Sequence, residues 1–88
     1  MKIKNITYVD MNETRTDGRY PLRIGSEVEI YEPYTPLNIG DSMILSYIKD
    51  NKGNPKSGYL VTSTVKDIEE TDIEIVVKTR NSIYYLEK

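Results

Sequence analysis

"LRIGSEVEI" occupies residues 22–30, and "LNIGDSMIL" follows at residues 37–45. Both spell Leu-x-Ile-Gly-[Ser/Asp]-x-[Val/Met]-x-[Ile/Leu]. In each, the glycine supplies the positive φ of a tight turn. The Ser26 or Asp41 side chain can then bond the backbone that follows. Beyond the glycine a strand begins, so each copy reads as a strand entrance. The leucine and isoleucine ahead of it would pin the incoming chain to the core. Two copies are too few for a stacked-repeat solenoid. Convergence on the same turn chemistry explains them better than duplication does.

Working outward, period-two alternation, the mark of half-buried strands, recurs along the chain. Met43, Leu45 and Tyr47 share one face of residues 43–48. Over residues 59–65, Tyr59, Val61 and Val65 fall opposite Leu60, Thr62 and Thr64. Ile73, Ile75 and Val77 alternate with Glu74 and Lys78, and Ile83 and Tyr85 oppose Tyr84 and Leu86. Further strands are expected over residues 2–11 and 27–31. "TDG" (16–18) and "KDNKGNPKSG" (49–58) read as turns. No stretch carries a sustained helical stripe, and residues 66–71 read as a connection between strands. These features predict one all-β domain over residues 1–88, with about five to seven short strands. The expected form is a small antiparallel barrel, SH3-like or OB-like, or a twisted sandwich. Its core should hold Ile24, Val28, Ile30, Leu45, Val61, Val65, Ile75, Val77 and Leu86. "YEPYTP" (31–36) cannot be a central strand, because Pro33 and Pro36 lack an N–H and restrict the residues before them.

Composition bears mainly on what the chain can do. With no cysteine there is no disulfide framework, thiolate nucleophile or cysteine metal site. With no histidine, the commonest general base and transition-metal ligand are missing as well. The expectation is a protein that is not an enzyme and carries no cofactor or metal. No apolar run approaches the ~18 residues of a membrane span, and "MKIKNITYVD" lacks the apolar region of a signal peptide. A bacterial cytoplasmic setting follows. All eight aromatic residues are tyrosines, which suit both half-buried strands and interfaces.

Three clusters are candidate sites. "DIEETDIE" (67–74) gathers carboxylates with no basic residue. With Tyr31 and Tyr34 it forms the leading candidate, in which Glu69, Glu70 and Asp72 attract a basic protein partner and the tyrosines anchor it. Its spacing does not fit a calcium loop. The turn carrying Lys49, Lys52 and Lys56, flanked by Tyr47 and Tyr59, is the candidate for nucleic acid. Against it stands the isoelectric point of about 5.1. Finally, Arg80 and Asn81 with Thr62 and Thr64 would make a pocket for a nucleotide or other small anion, Arg80 serving as its anchor.

"GYLVTSTVKDIEE" followed by "IEIVVKTRNSIYYLEK" resembles the C-terminal part of small β proteins of phages and mobile elements of Firmicutes. The shared pattern is Thr-Ser-x-Val, then Val-x-Thr-x-Asn-Ser-x-Tyr, over about a third of the chain. The resemblance carries over no catalytic residue. It implies a phage setting, in which small acidic proteins often bind and block a host protein, including immune effectors. Stoichiometric protein contact is therefore the expected function, with nucleic-acid or nucleotide binding as the alternative.

Overall fold

The structure is a computed structural model and describes residues 1–32 and 37–88. Six antiparallel strands follow one another around a closed barrel. They are β1 (Lys2–Tyr8), β2 (Glu27–Ile30), β3 (Ser42–Lys49), β4 (Tyr59–Glu70), β5 (Glu74–Thr79) and β6 (Ser82–Glu87). A single helical turn, α1 (Tyr20–Arg23), precedes β2. No helix among the described residues is long and apolar enough to cross a membrane. Each strand pairs with its neighbours in sequence, and β6 returns to pair with β1.

The repeated phrase builds the same device twice. Ile24 (φ −63°, ψ 127°) and Gly25 (φ 93°) form the centre of a type II turn, in which Ser26 N–H donates to the Arg23 carbonyl at 3.1 Å. Gly40 (φ 98°) occupies the same place in the second copy, where Asp41 N–H donates to the Asn38 carbonyl at 3.3 Å. Each turn then clips onto a neighbouring strand with two hydrogen bonds. Gly25 N–H donates to the Ile3 carbonyl (2.7 Å), and Ile3 N–H returns to the Ser26 carbonyl (2.9 Å). Gly40 N–H donates to the Val65 carbonyl (2.9 Å), and Val65 N–H returns to the Asp41 carbonyl (2.8 Å). The expected side-chain bonds to the following backbone are not what holds the turns: Ser26 Oγ points back to the Leu22 carbonyl at 3.5 Å. Nor do both apolar residues pin each copy. Ile24 packs on the core while Leu22 is exposed, and Leu37 packs on the core while Ile39 is exposed.

A Cβ at either glycine would be strained by its φ. At position 40 it would meet nothing within 4 Å, whereas at position 25 it would lie 3.4 Å from Asn51 Cβ. Gly40→Ala is therefore expected to cost about 1 kcal/mol, and Gly25→Ala to cost more. Equal melting temperatures for the wild type and both variants would contradict the shared-turn account.

Closure depends on a patch at the seam. The ladder between β1 and β2 has one register pair, Lys2 with Glu27. Beyond the bonds of Ile3 to Gly25 and Ser26, the Ile6–Tyr8 part of that edge is covered by residues 13–15. Tyr8 N–H donates to the Glu13 carbonyl (3.1 Å), and Arg15 N–H donates to the Ile6 carbonyl (2.8 Å). Arg15 locks this segment in place. Its guanidinium lies 4.7 Å from the Tyr8 ring centre and 4.1 Å from that of Tyr20. It also grips Asp17 through two hydrogen bonds of 3.0 and 2.6 Å, and reaches the Asn81 carbonyl and Ser82 Oγ in the β5–β6 turn.

The barrel interior holds Ile3, Ile6, Val28, Met43, Leu45, Leu60, Val65, Ile75, Val77, Tyr84 and Leu86. Of the expected core, Val28, Leu45, Val65, Ile75, Val77 and Leu86 are buried, and Ile24 and Ile30 pack against it from partly buried positions. Val61 is 61% exposed, which corrects its assignment. The reason is a bulge. Register shifts between Ser42/Thr64 and Ile44/Val61, so Thr62 and Ser63 together oppose Met43. Thr62 Oγ1 accepts from Met43 N–H (3.0 Å) and donates to the Ser63 carbonyl (2.8 Å). The extra residue flips the side-chain parity, so Leu60 and Thr62 face inward ahead of it and Val65 beyond it. A second shift, at Lys66 against β5, lets β4 run on to Glu70 where a connection was expected.

Candidate functional site: a basic, tyrosine-lined groove

α1 and the segment leading into β4 wall an open groove of about 500 Å³ beside one end of the barrel. Three cations line it, Arg19, Arg23 and Lys56, with no carboxylate among its lining residues. Arg19 stands just ahead of α1 and Arg23 ends it, so one helical turn places both on this side. Pro21 near the start of α1 has the fixed φ that a first helical turn needs. Lys56 arrives from the β3–β4 turn, where the Asp50 carboxylate accepts N–H bonds from Lys52 and Asn54, each at 2.9 Å. Those two bonds hold the Asp50 carboxyl below its ordinary pKa.

Tyrosines supply the rest of the groove. Lys56 Nζ sits 4.2 Å from the Tyr47 ring centre, and the Arg23 guanidinium 4.9 Å from that of Tyr20. Burial pushes the Tyr84 phenol up to about 12, and nearby Tyr20 and Tyr47 add to the rise while Arg23 opposes it. Burial also raises the Tyr47 phenol, again with Arg23 in opposition. Arg23 is thus the cation set among three phenols at the barrel mouth. Tyr59, 59% exposed, forms the outer wall. Its ring meets that of Tyr31 at 4.9 Å and 49°, and the neighbouring phenol raises the pKa of Tyr31. Val61, across from Ile44 in register, extends this surface along the outer face of the sheet.

The clusters expected from sequence are redistributed. Lys56, Tyr47 and Tyr59 do meet in the groove, whereas Lys49 stands opposite Glu27 and Lys52 is exposed on the turn. Glu69 and Glu70 lie at the far end of β4, and Asp72 in the hairpin turn after it. Glu70 is paired with Lys88 at 2.6 Å, and Glu74 lies 3.9 Å from Lys4. Tyr31 contacts Tyr59, ten residues and roughly 30 Å of strand away from Glu69. The acidic and tyrosine halves of the leading candidate are therefore separate surfaces. Tyr34 lies outside the described residues.

The Arg80 cluster is tied to β4 through the backbone N–H groups of Arg80 and Asn81. Arg80 N–H donates to the Thr64 carbonyl (2.9 Å) and Asn81 N–H to Ser63 Oγ (3.1 Å). Thr62 is buried, with its hydroxyl engaged on both sides in the bulge, and this corrects its place in an anion pocket.

Arg19 and Arg23 were not among the candidates. The signal for them was "GRYPLR" (18–23), two arginines four residues apart around a proline that starts a helical turn. In comparisons with protein-family models, curated proteins and solved structures, nothing matches this chain.

Proposed function

We propose that this barrel is a non-catalytic binding protein that holds an anionic ligand in the groove formed by Arg19, Arg23, Lys56, Tyr47 and Tyr59. One observation carries the reading: a chain of net charge −2 gathers three cations around one groove free of carboxylates. Cations grouped in this way focus the field on a single anion, and apolar walls strengthen the attraction. The test is melting in the presence of pyrophosphate. The wild type should gain thermal stability with rising pyrophosphate, because a ligand that binds only the folded state stabilises it by mass action. Arg19→Glu combined with Lys56→Glu changes two exposed side chains, so the ligand-free melting temperature should hold and the gain should disappear. A gain of equal size in the double variant would overturn the reading.

The acidic hairpin favours a second reading, contact with a basic partner protein. Asp67, Glu69 and Asp72 are exposed there and make no ion pair among the described residues. A phage protein that blocks a host protein, as the resemblance implies, would use them to speed encounter. Such binding would weaken in salt and in Glu69→Lys with Asp72→Lys, and would be indifferent to the groove variants.

A further inference from the structure

We infer that the groove takes a nucleotide unit, a phosphate joined to an aromatic base, and this rests on the anion-binding reading above. Two chemistries lie side by side in it. Arg19 and Arg23 offer planar donor forks that match phosphate oxygens, with Lys56 as an added point charge. Stacking on Tyr20 restrains the Arg23 fork, so less freedom is lost when it binds. On the same groove Tyr59 presents a largely exposed ring, tilted against that of Tyr31. An aromatic base can stack on such a ring regardless of its identity. Leu22, 63% exposed, adds an apolar wall that a bare inorganic anion would not need.

Size and charge narrow the ligand further. The groove's volume of about 500 Å³ falls within the range of small-molecule sites. Beyond it, nine cations face fourteen carboxylates, so a long polyanion would meet repulsion once it left the groove. A duplex binder spreads its cations over a broad surface instead. The shared chemistry is thus one base with its phosphate, supplied either as a free nucleotide or at the end of a single strand.

The experiment is calorimetric titration of the full chain with ADP, pyrophosphate, a 5′-phosphorylated thymidine oligomer and a glutamate-rich peptide. ADP should bind roughly tenfold or more tighter than pyrophosphate, the margin that one stacked base supplies. Tyr59→Ala should bring ADP down to the pyrophosphate level and leave pyrophosphate unchanged, while Tyr59→Phe keeps the margin. Tighter binding of the oligomer than of ADP would assign a strand end, and the reverse a free nucleotide. ADP no tighter than pyrophosphate, or a glutamate peptide as tight as ADP, would overturn the inference and leave the anion reading standing. Failure of every ligand to bind would overturn both.

Discussion

Leu45→Ala should destabilise the barrel by about 3 kcal/mol, in the range that truncating a buried leucine costs when its surroundings cannot collapse. Leu45 is fully buried at the middle of β3, pairing with Ile30 of β2 and Leu60 of β4. In a domain of this size, each kilocalorie moves the melting temperature by about 4–8 °C, so the effect should be plain in a thermal melt. Val61→Ala supplies the contrast. Simple alternation along β4 puts Val61 in the core, but the bulge at Thr62–Ser63 turns it outward. Its truncation should therefore change stability by less than about 0.5 kcal/mol. Comparable losses in the two variants would show that β4 is not bulged where described.

The second large effect is expected at Arg15, a residue no sequence pattern singles out. Arg15→Ala removes the bidentate grip on Asp17, the bonds to the β5–β6 turn and the stacking on Tyr8 and Tyr20. The combined loss should be about 2–3 kcal/mol, the cost of deleting charged hydrogen bonds together with their partners' packing. Arg15→Lys keeps the charge but loses the planar fork, and should recover only part of it. Acid should act on the same contact. The hydrogen bond from Arg15 lowers the Asp17 carboxyl from 3.8 to about 2. A carboxyl lowered on folding stabilises the fold above its ordinary pKa, and that contribution fades as pH falls from about 4 towards 2. The wild type should lose stability across that window faster than Arg15→Ala does. Parallel acid profiles would contradict the assignment.

What the residues disclosed in advance was whatever local chemistry decides. Alternation in Met43–Ile48 and Ile83–Leu86 placed β3 and β6, and the two Ile-Gly pairs marked two strand entrances built alike. The bulges in β4 were not legible, because an inserted residue leaves no mark in the alternation until its partner strand is known. The site was half legible. Tyr47, Lys56 and Tyr59 are close in sequence around one turn and line the groove together, while Lys49 and Lys52 from the same turn do not. Arg19, Arg23 and Tyr31 join the groove residues only through strand pairing. β2 runs antiparallel along β3, so α1 ahead of its start meets the β3–β4 turn and Tyr31 past its end meets Tyr59. The acidic run made the opposite error. Complementary chemistry, charge to attract and tyrosine to anchor, suggested one surface with Tyr31, yet β4 carries Glu69 to the far end of the strand from Tyr59.

The groove account makes one demand above the rest: an anion must bind there and not elsewhere. Backbone amide shifts in a ¹H–¹⁵N spectrum, followed while pyrophosphate is added, test it most directly. Saturable shifts are expected at residues 19–23, 47 and 56–60, with residues 67–74 unmoved. Shifts scattered over the surface, or none at saturating pyrophosphate, would contradict it.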